Sequence, residues 1–174
     1  EQLIEEEVRV SVFDTETCRR LEEAAERVGK NALVHIKVDT GMNRIGIKPD
    51  ESGEAFLKVL AGFPKLEAEG IFTHFARADE VEKESANRQF LLFADFVARA
   101  QEILGKEIPI RHCANSAAIL TMKDTHMDAV RPGIILYGLD PSEEVTTEGY
   151  FLEPVLTLHS QVIFIKELKA GDNI

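Results

Sequence analysis

The sequence predicts an α/β fold, in which short parallel strands alternate with amphipathic helices as part of a (β/α)8 TIM barrel. Apolar segments with strand-like alternation are separated by segments of helical periodicity, and the connections are short. Polar clusters follow the apolar segments, and in a barrel these strand ends meet at one mouth. A doubly wound sheet would also gather them on one edge, but no Gly-x-Gly-x-x-Gly sequence follows any strand.

The first predicted unit is a short strand followed by a capped helix. Valines at 8, 10 and 12 alternate with polar residues, which favours a strand near Val10. Asp14 is placed to cap the helix, and Gly29 to end it. The helix presents one apolar face to the core, made of Cys18, Leu21, Ala24, Ala25 and Val28.

The next units follow the same order. A strand around Val34 leads into a polar loop at 39–44, and a helix then directs Phe56, Val59 and Leu60 inward. A brief strand at 71–72 precedes a second polar cluster. The longest helix is predicted over about 82–104, with an apolar stripe typical of a core helix.

The last units are two strands near Ile110 and Val130, with a short helix between them. Five βα-type strands are fewer than the eight that close a barrel, so we expect a partial barrel over residues 1–140. Residues 141–174 are predicted to form a linker and the first strand, at 156–168, of a C-terminal β domain. Because the chain starts at Glu1 and stops just after a turn-like segment, we expect a piece of a longer protein.

Composition excludes several classes of function. The chain has 174 residues, a net charge of −11 and a pI near 4.9, whereas nucleic-acid-binding proteins carry a basic face. Two cysteines imply no disulfide framework, and no apolar run approaches the length of a membrane span. These features are typical of an acidic cytoplasmic protein.

Two polar clusters in the second half have the chemistry of an anion site. Ile110 leads into His112, Asn115 and Ser116, as if a strand delivered donors to its end. Arg131 precedes a Pro-Gly pair that allows a tight turn, and the backbone N–H groups of this turn are expected to be unobstructed because Gly133 has no side chain. Backbone N–H groups beside a hydroxyl and a guanidinium suit an anion such as phosphate.

Four segments, in this order and spacing, resemble motifs of the alanine racemase family. They are KVDTGMNRIG at 37–46, THFA at 73–76, HCANSAA at 112–118 and RPGIILYG at 131–138. The resemblance covers nearly the whole chain. It implies a pyridoxal 5'-phosphate enzyme, a homodimer with an N-terminal barrel and a C-terminal β domain, which interconverts L- and D-alanine for peptidoglycan synthesis.

The resemblance also implies roles for single residues. At the phosphate end of the cofactor it places Asn115, Ser116, Gly133 and Ile134. Arg131 would face the pyridine nitrogen.

Around the ring, the resemblance places His74 with His112 close by. Arg44 would reach the cofactor's phenolic oxygen and the substrate carboxylate. Lys37 matches the lysine that can be carbamylated in the family, with its added carboxylate positioning Arg44.

Arginine at the pyridine nitrogen has a chemical consequence. A racemase needs an electron sink and two opposed acid/base groups. Arginine cannot accept a proton, so it favours a neutral ring, which limits side reactions such as transamination. Our hypothesis is that Arg131 serves this purpose.

The family's two proton-transfer groups are not found in this sequence. The cofactor-bearing lysine of a Lys-Ala-x-Ala-Tyr-Gly-like motif is missing, and Tyr137 and Tyr150 do not match the context of the opposed tyrosine. We therefore expect no catalytic residue within this chain, and no racemase activity from the chain alone.

Three other functions stay open at this stage. A serine or broad-specificity racemase would share the barrel and the cofactor. A metal-dependent barrel hydrolase would use His74, His112, Asp39 and a carbamylated Lys37 as ligands, although no His-x-His pair is present and two arginines would repel a metal ion. A non-catalytic scaffold or assembly fragment is the third. For the racemase itself we expect no metal site.

Overall fold

The sheet of this protein is parallel and its strands follow one another in sequence order. The computed structural model describes residues 1–145 and 149–172. The four strands are β1 (Val10–Val12), β2 (Ala32–Lys37), β3 (Leu66–Phe72) and β4 (Ile110–His112), hydrogen-bonded in the order β1-β2-β3-β4. Each new strand joins the same edge, so the predicted α/β class with a parallel sheet is confirmed.

Helices connect the strands. They are α1 (Gln2–Glu5), α2 (Thr15–Val28), α3 (Glu51–Leu60), α4 (Glu84–Leu104) and α5 (Ser116–Thr121), with 3-10 turns at Lys123–Thr125 and Ile134–Tyr137. The predicted caps are present: the Asp14 carboxylate accepts from Thr17 N–H, and Gly29 is left-handed at φ +74°. The longest helix, predicted over about 82–104, is confirmed as α4. One prediction about the helices was wrong, because Val59 on α3 is 45% exposed.

The two faces of β2 differ in chemistry. Ala32, Val34 and Ile36 are buried in the apolar core that the strands share with the helices. Successive side chains of a strand point to opposite faces, so Leu33, His35 and Lys37 lie on the other face. That second face also carries Phe72 and His112, whose rings stack with centroids 4.8 Å apart. A polar layer on this side of the sheet therefore leads to the ends of the strands.

The predicted fifth strand near Val130 was wrong. The segment runs beside β4 and makes one backbone bond to it, from Asp128 N–H to Arg111 O at 3.1 Å, and one to the residues that follow it, from Arg131 N–H to Ala114 O at 3.0 Å. It forms one isolated bridge, at residues 112 and 129, but no ladder. Pro132 lacks an N–H group, so the segment cannot continue the ladder and turns into the 3-10 helix Ile134–Tyr137.

The predicted strand at 156–168 is not formed among the residues that the structure describes, and its place in a C-terminal β domain stays a prediction. No strand is formed there, and the apolar side chains of Leu158, Ile163 and Ile165 are 83–97% exposed. The reason is the lack of a partner within the described chain: one backbone bond, from Val155 N–H to Tyr137 O, ties this region to the rest. Parts of the predicted linker and of the terminal turn, at 146–148 and 173–174, lie outside the described residues.

None of the helices in the described ranges has the length and apolar composition required to cross a membrane.

The loop that leaves β2 is closed tightly on itself. Asp39 N–H donates to Ile47 O, and Ile47 N–H donates to Lys37 O. Gly46, at φ +124°, lies where this loop returns, and a Cβ added there would be 2.8 Å from Asp39 N. This close approach of backbone to backbone holds the loop that carries Arg44.

Replacing Gly46 with alanine tests that role. Gly29→Ala provides the control, because its site is left-handed but has no atom within 4 Å of an added Cβ, so its cost should be about 1 kcal/mol. Gly46→Ala combines an unfavourable φ with a backbone clash and should lower the free energy of unfolding several times more. Urea denaturation measures both variants, and equal losses would contradict the account of this loop.

Candidate active site

A cavity of about 340 Å³ opens at the carboxyl ends of β3 and β4. Six of the nine residues predicted for the site line it: His74, Asn115, Ser116, Arg131, Gly133 and Ile134. The other three, Lys37, Arg44 and His112, do not line this cavity. The same opening is lined by Met42, Phe75, Ala76, Asp79, Ala117 and Pro141, which sequence reasoning had not assigned to a site.

Arg131 is the centre of the hydrogen bonding behind the cavity. One terminal nitrogen donates to His112 Nδ1 at 2.8 Å, and the other donates to Thr73 O at 2.7 Å and Cys113 O at 3.3 Å. The second nitrogen also lies 3.4 Å from His74 Nδ1. Among the described residues no carboxylate pairs with Arg131, so neutral acceptors alone supply its hydrogen bonds and its positive charge is not neutralised.

The partners of His112 fix its protonation. Arginine has donors and no acceptor, so His112 Nδ1 carries a lone pair and the ring hydrogen lies on Nε2. Nε2 lies 2.9 Å from His35 Nδ1, a distance suited to donation from His112. Burial and the charges of Arg131 and His35 lower the pKa of His112 to about 3, which keeps the ring neutral.

The pKa values of His74 and Lys37 are also shifted in the direction of the neutral form. Burial, then Arg131, Arg44 and Lys37, lower the pKa of His74 to about 4. Burial is also the main cause that lowers the pKa of Lys37 to about 8, where Asp39 opposes it and the two arginines add to it. Lys37 is 3% exposed and its Nζ donates to Val38 O at 2.7 Å.

Arg44 lies on the loop after β2 and is exposed. The loop is ordered by Asp39, whose carboxylate accepts from Gly41 N–H, Asn43 N–H and Lys48 Nζ. Burial opposes ionisation of Asp39, but these contacts outweigh it and hold its pKa below the ordinary value. Asp39 forms its ion pair with Lys48, and among the described residues neither Arg44 nor Arg131 has a carboxylate partner.

Ser116 and Asn115 fix the turn at the far side of the cavity. Asn115 caps α5 by accepting from Ala118 N–H at 3.1 Å. The Ser116 hydroxyl oxygen accepts from Gly133 N–H at 2.8 Å, so the expectation that the Pro-Gly backbone is unobstructed was wrong at Gly133. Because Ser116 Oγ accepts this bond, its own proton stays available for another acceptor.

Gln89 is a site residue that the sequence reasoning missed. It lies on α4, is 4% exposed, and makes three hydrogen bonds to two loops: Nε2 donates to Thr40 Oγ1 and His74 O, and Oε1 accepts from Ala76 N–H. The available signal was Gln89 itself. This polar residue lies between Arg88 and Phe90, at a position where α4 otherwise presents apolar side chains to the core. His35 was missed as well, although strand alternation places it on the same face as Lys37.

Comparison with known proteins identifies the family. Residues 1–141 match the family described as "Alanine racemase, N-terminal domain". The chain belongs to the alanine racemase family. It is 43% identical to the alanine racemase of Desulforamulus reducens over 171 residues, which is 98% of this chain and 46% of that protein. Over 173 residues it is 40% identical to the alanine racemase of Methanococcus maripaludis, covering 99% of this chain and 46% of that protein.

Solved alanine racemases share the fold. The Bacillus anthracis enzyme with bound L-Ala-P aligns with a TM-score of 0.85 at 38% identity, over 99% of this chain and 45% of that one. The Clostridium difficile 630 enzyme in complex with cycloserine aligns with a TM-score of 0.81 at 38% identity, over 88% and 42%. The chain thus spans about half the length of the alanine racemases it matches.

The neutral histidines of this alanine racemase segment predict how its stability depends on pH. In the unfolded chain a histidine binds a proton near pH 6.5, whereas His112 and His74 stay neutral in the native state down to about pH 4. The unfolded state therefore binds more protons between pH 7 and 5. Each such histidine should lower the free energy of unfolding by up to about 1.4 kcal/mol per pH unit as pH falls.

Urea denaturation at a series of pH values checks this slope. His112→Gln should make the pH dependence shallower by the share of one histidine. His159→Gln, at an exposed position, is the control and should leave the slope as it is. An unchanged slope in His112→Gln would show that His112 does not stay neutral.

Proposed function

We propose that the protein containing this chain is a pyridoxal 5'-phosphate-dependent alanine racemase that interconverts L- and D-alanine for peptidoglycan synthesis. The observation that carries the proposal is the convergence of Arg131, His74 and Ser116 at one cavity in a chain of this family. The solved relatives with bound L-Ala-P and cycloserine add support at the level of the family.

The far side of the cavity fits the phosphate. Ser116 has a hydroxyl proton to donate, and Gly133, which also lines the cavity, adds no side chain there. In the described chain the N–H of Ile134, at the first position of its 3-10 helix, donates to no protein acceptor. Asn115 would hold this turn in place through its cap, with its amide at the cavity.

The other side of the cavity fits a neutral pyridine ring. Arg131 already has acceptors for both terminal nitrogens, and it offers a donor to a ring nitrogen with a lone pair. His74 would pack beside the ring, and His112 would lie behind Arg131 and hold it through their hydrogen bond. When bound, pyridoxal phosphate supplies the electron sink that acidifies the substrate α-carbon. Arg131 would moderate that sink because it cannot give up its proton.

Arg44 would bind the substrate carboxylate and the phenolic oxygen of the cofactor. Lys37, whose pKa of about 8 leaves a larger fraction of neutral amine than an ordinary lysine has, suits carbamylation by carbon dioxide. In that reaction the amine nitrogen bonds to the carbon and loses a proton. The resulting carboxylate would pair with Arg44 and hold it in one orientation.

The wider architecture is part of the proposal. Parallel strands added in sequence order on one edge are what a (β/α)8 barrel requires, so residues 1–140 would form part of a TIM barrel. Residues 141–174 would be the linker and first strand of a C-terminal β domain, with the exposed side chains at 156–168 paired in the whole protein. The whole protein would be a cytoplasmic homodimer.

The opposed proton-transfer groups, a lysine and a tyrosine, would come from the rest of the whole protein. A polypeptide of these 174 residues alone should therefore not racemise L-alanine. Chiral chromatography of alanine, after incubation with pyridoxal phosphate and a sample whose mass has been verified, measures this. Formation of D-alanine by that sample would contradict the proposal.

Ser116→Ala in the whole protein tests the phosphate site. It removes one donor and the acceptor of Gly133 N–H, so we expect pyridoxal phosphate to bind about tenfold more weakly, the effect of one hydrogen bond to a charged group. Absorbance titration of the cofactor-free protein measures this affinity. Ser160→Ala, at an exposed position, is the matched control, and equal affinities for both variants would rule out the assignment.

A serine or broad-specificity racemase is the alternative within this chemistry. The turnover of L-alanine relative to L-serine by the whole protein decides between them. No observation favours the metal-dependent hydrolase: residues 1–145 and 149–172 contain no group of three or more His, Cys, Asp or Glu side chains placed to share a metal ion.

A further inference from the structure

A line of polar side chains crosses the polar face of the sheet, from the cavity to the opposite end of the strands. It starts at Arg131 and continues through His112 on β4 and His35 on β2, with contacts of 2.8 and 2.9 Å. His35 Nε2 then lies 3.6 Å from Glu69 Oε2 on β3. Arg9 ends the line, donating to both oxygens of Glu69 at 2.7 and 2.9 Å.

The direction of donation along this line is fixed at both ends. Arg131 can only donate, so His112 accepts at Nδ1 and donates from Nε2. His35 then accepts at Nδ1 and carries its hydrogen on Nε2, facing the Glu69 carboxylate. Burial, the largest cause, lowers the pKa of His35 although Glu69 opposes it, so the ring is neutral in the same way as that of His112.

The backbone makes room for this arrangement. The pairing of β2 and β3 shifts register between Val34 and His35, so that His35 pairs with Gly70 and Glu69 is the extra residue of the bulge. A Cβ on Gly70 would lie 2.5 Å from the ring of His35. The bulge directs the Glu69 carboxylate towards His35, and glycine leaves space for the ring.

The contact between His35 Nε2 and Glu69 is the longest in the line. Nε2 is buried, and at 3.6 Å from the carboxylate it has no hydrogen-bond partner of ordinary length among the described residues. A buried N–H without a partner is unfavourable, so a small approach of Glu69 would complete the line. Hydrogen bonds in a chain polarise one another, and a carboxylate at the far end makes His112 Nδ1 a stronger acceptor.

We propose that His35 and Glu69 are positioning residues, which strengthen the acceptor on His112 and thereby hold the Arg131 guanidinium at the cavity. The part of this proposal that concerns the cofactor ring rests on the proposed function, whereas the effect on Arg131 does not. Arg9 keeps Glu69 ionised. Its hydrogen bonds to the carboxylate hold the pKa of Glu69 below the usual range, because they outweigh the effect of burial, which raises that pKa.

The test uses two substitutions of His35 in the whole protein. His35→Asn keeps an acceptor near the position of Nδ1, and His35→Leu removes it at similar size. The first readout is the hydrogen exchange of the Arg131 guanidinium by ¹⁵N NMR, in protein freed of cofactor. The second readout is the affinity for pyridoxal phosphate by absorbance titration.

We expect His35→Leu to raise the exchange rate of the Arg131 N–H groups about fivefold and to weaken pyridoxal phosphate binding by a similar factor, the size of one net hydrogen bond. His35→Asn should restore most of both. Glu69→Gln, which keeps size and removes charge, should have a smaller effect of the same sign. It also serves as the test if His35→Leu does not fold.

Glu54→Gln is the control, because it breaks a comparable half-buried ion pair, with Arg99, in the helical layer. It should change neither readout. Exchange of Arg131 that is the same in wild type, His35→Leu and Glu69→Gln would overturn the proposal. If the whole protein binds no pyridoxal phosphate, the proposed function fails, while the exchange measurement still decides the role of His35 and Glu69.

Discussion

The hydrogen bond between Arg131 and a neutral His112 is the interaction on which the rest of the site depends. A guanidinium that is half buried without a carboxylate needs acceptors, and it finds them in a histidine ring and in the carbonyl groups of Thr73 and Cys113. Had a carboxylate been present instead, Arg131 would be neutralised by the protein. Because it is not, its positive charge remains uncompensated at the lining of the cavity, in a chain whose net charge is −11.

The parallel sheet makes this interaction possible. Strands β2, β3 and β4 point the same way, so residues distant in sequence reach one edge together: Lys37 from β2, His74 after β3 and His112 from β4. Burial, followed by the positive charge of Arg131, lowers the pKa values of all three. The fold therefore produces both the geometry and the unusual protonation of the site.

Much of this could be predicted from the sequence, and the failures have physical reasons. Local signals identified β2, α2 and its caps at Asp14 and Gly29, because alternation and capping are properties of short segments. The segment at Val130 was misassigned, since its apolar residues resemble a strand while Pro132 prevents the ladder. The exposed segment at 156–168 has strand-like composition, but pairing depends on a partner that the described chain does not provide.

The prediction of the site also succeeded for some residues and failed for others. Motif residues such as Ser116 and Arg131 were predicted and lie together, whereas the polar supports behind them, Gln89 and His35, were not, because a hydrogen bond across the sheet leaves no local pattern. The most direct test of the account is ¹⁵N NMR of pyridoxal phosphate labelled at the ring nitrogen and bound to the whole protein. The account predicts an unprotonated ring nitrogen that accepts a hydrogen bond from Arg131. A protonated pyridinium at neutral pH would contradict it.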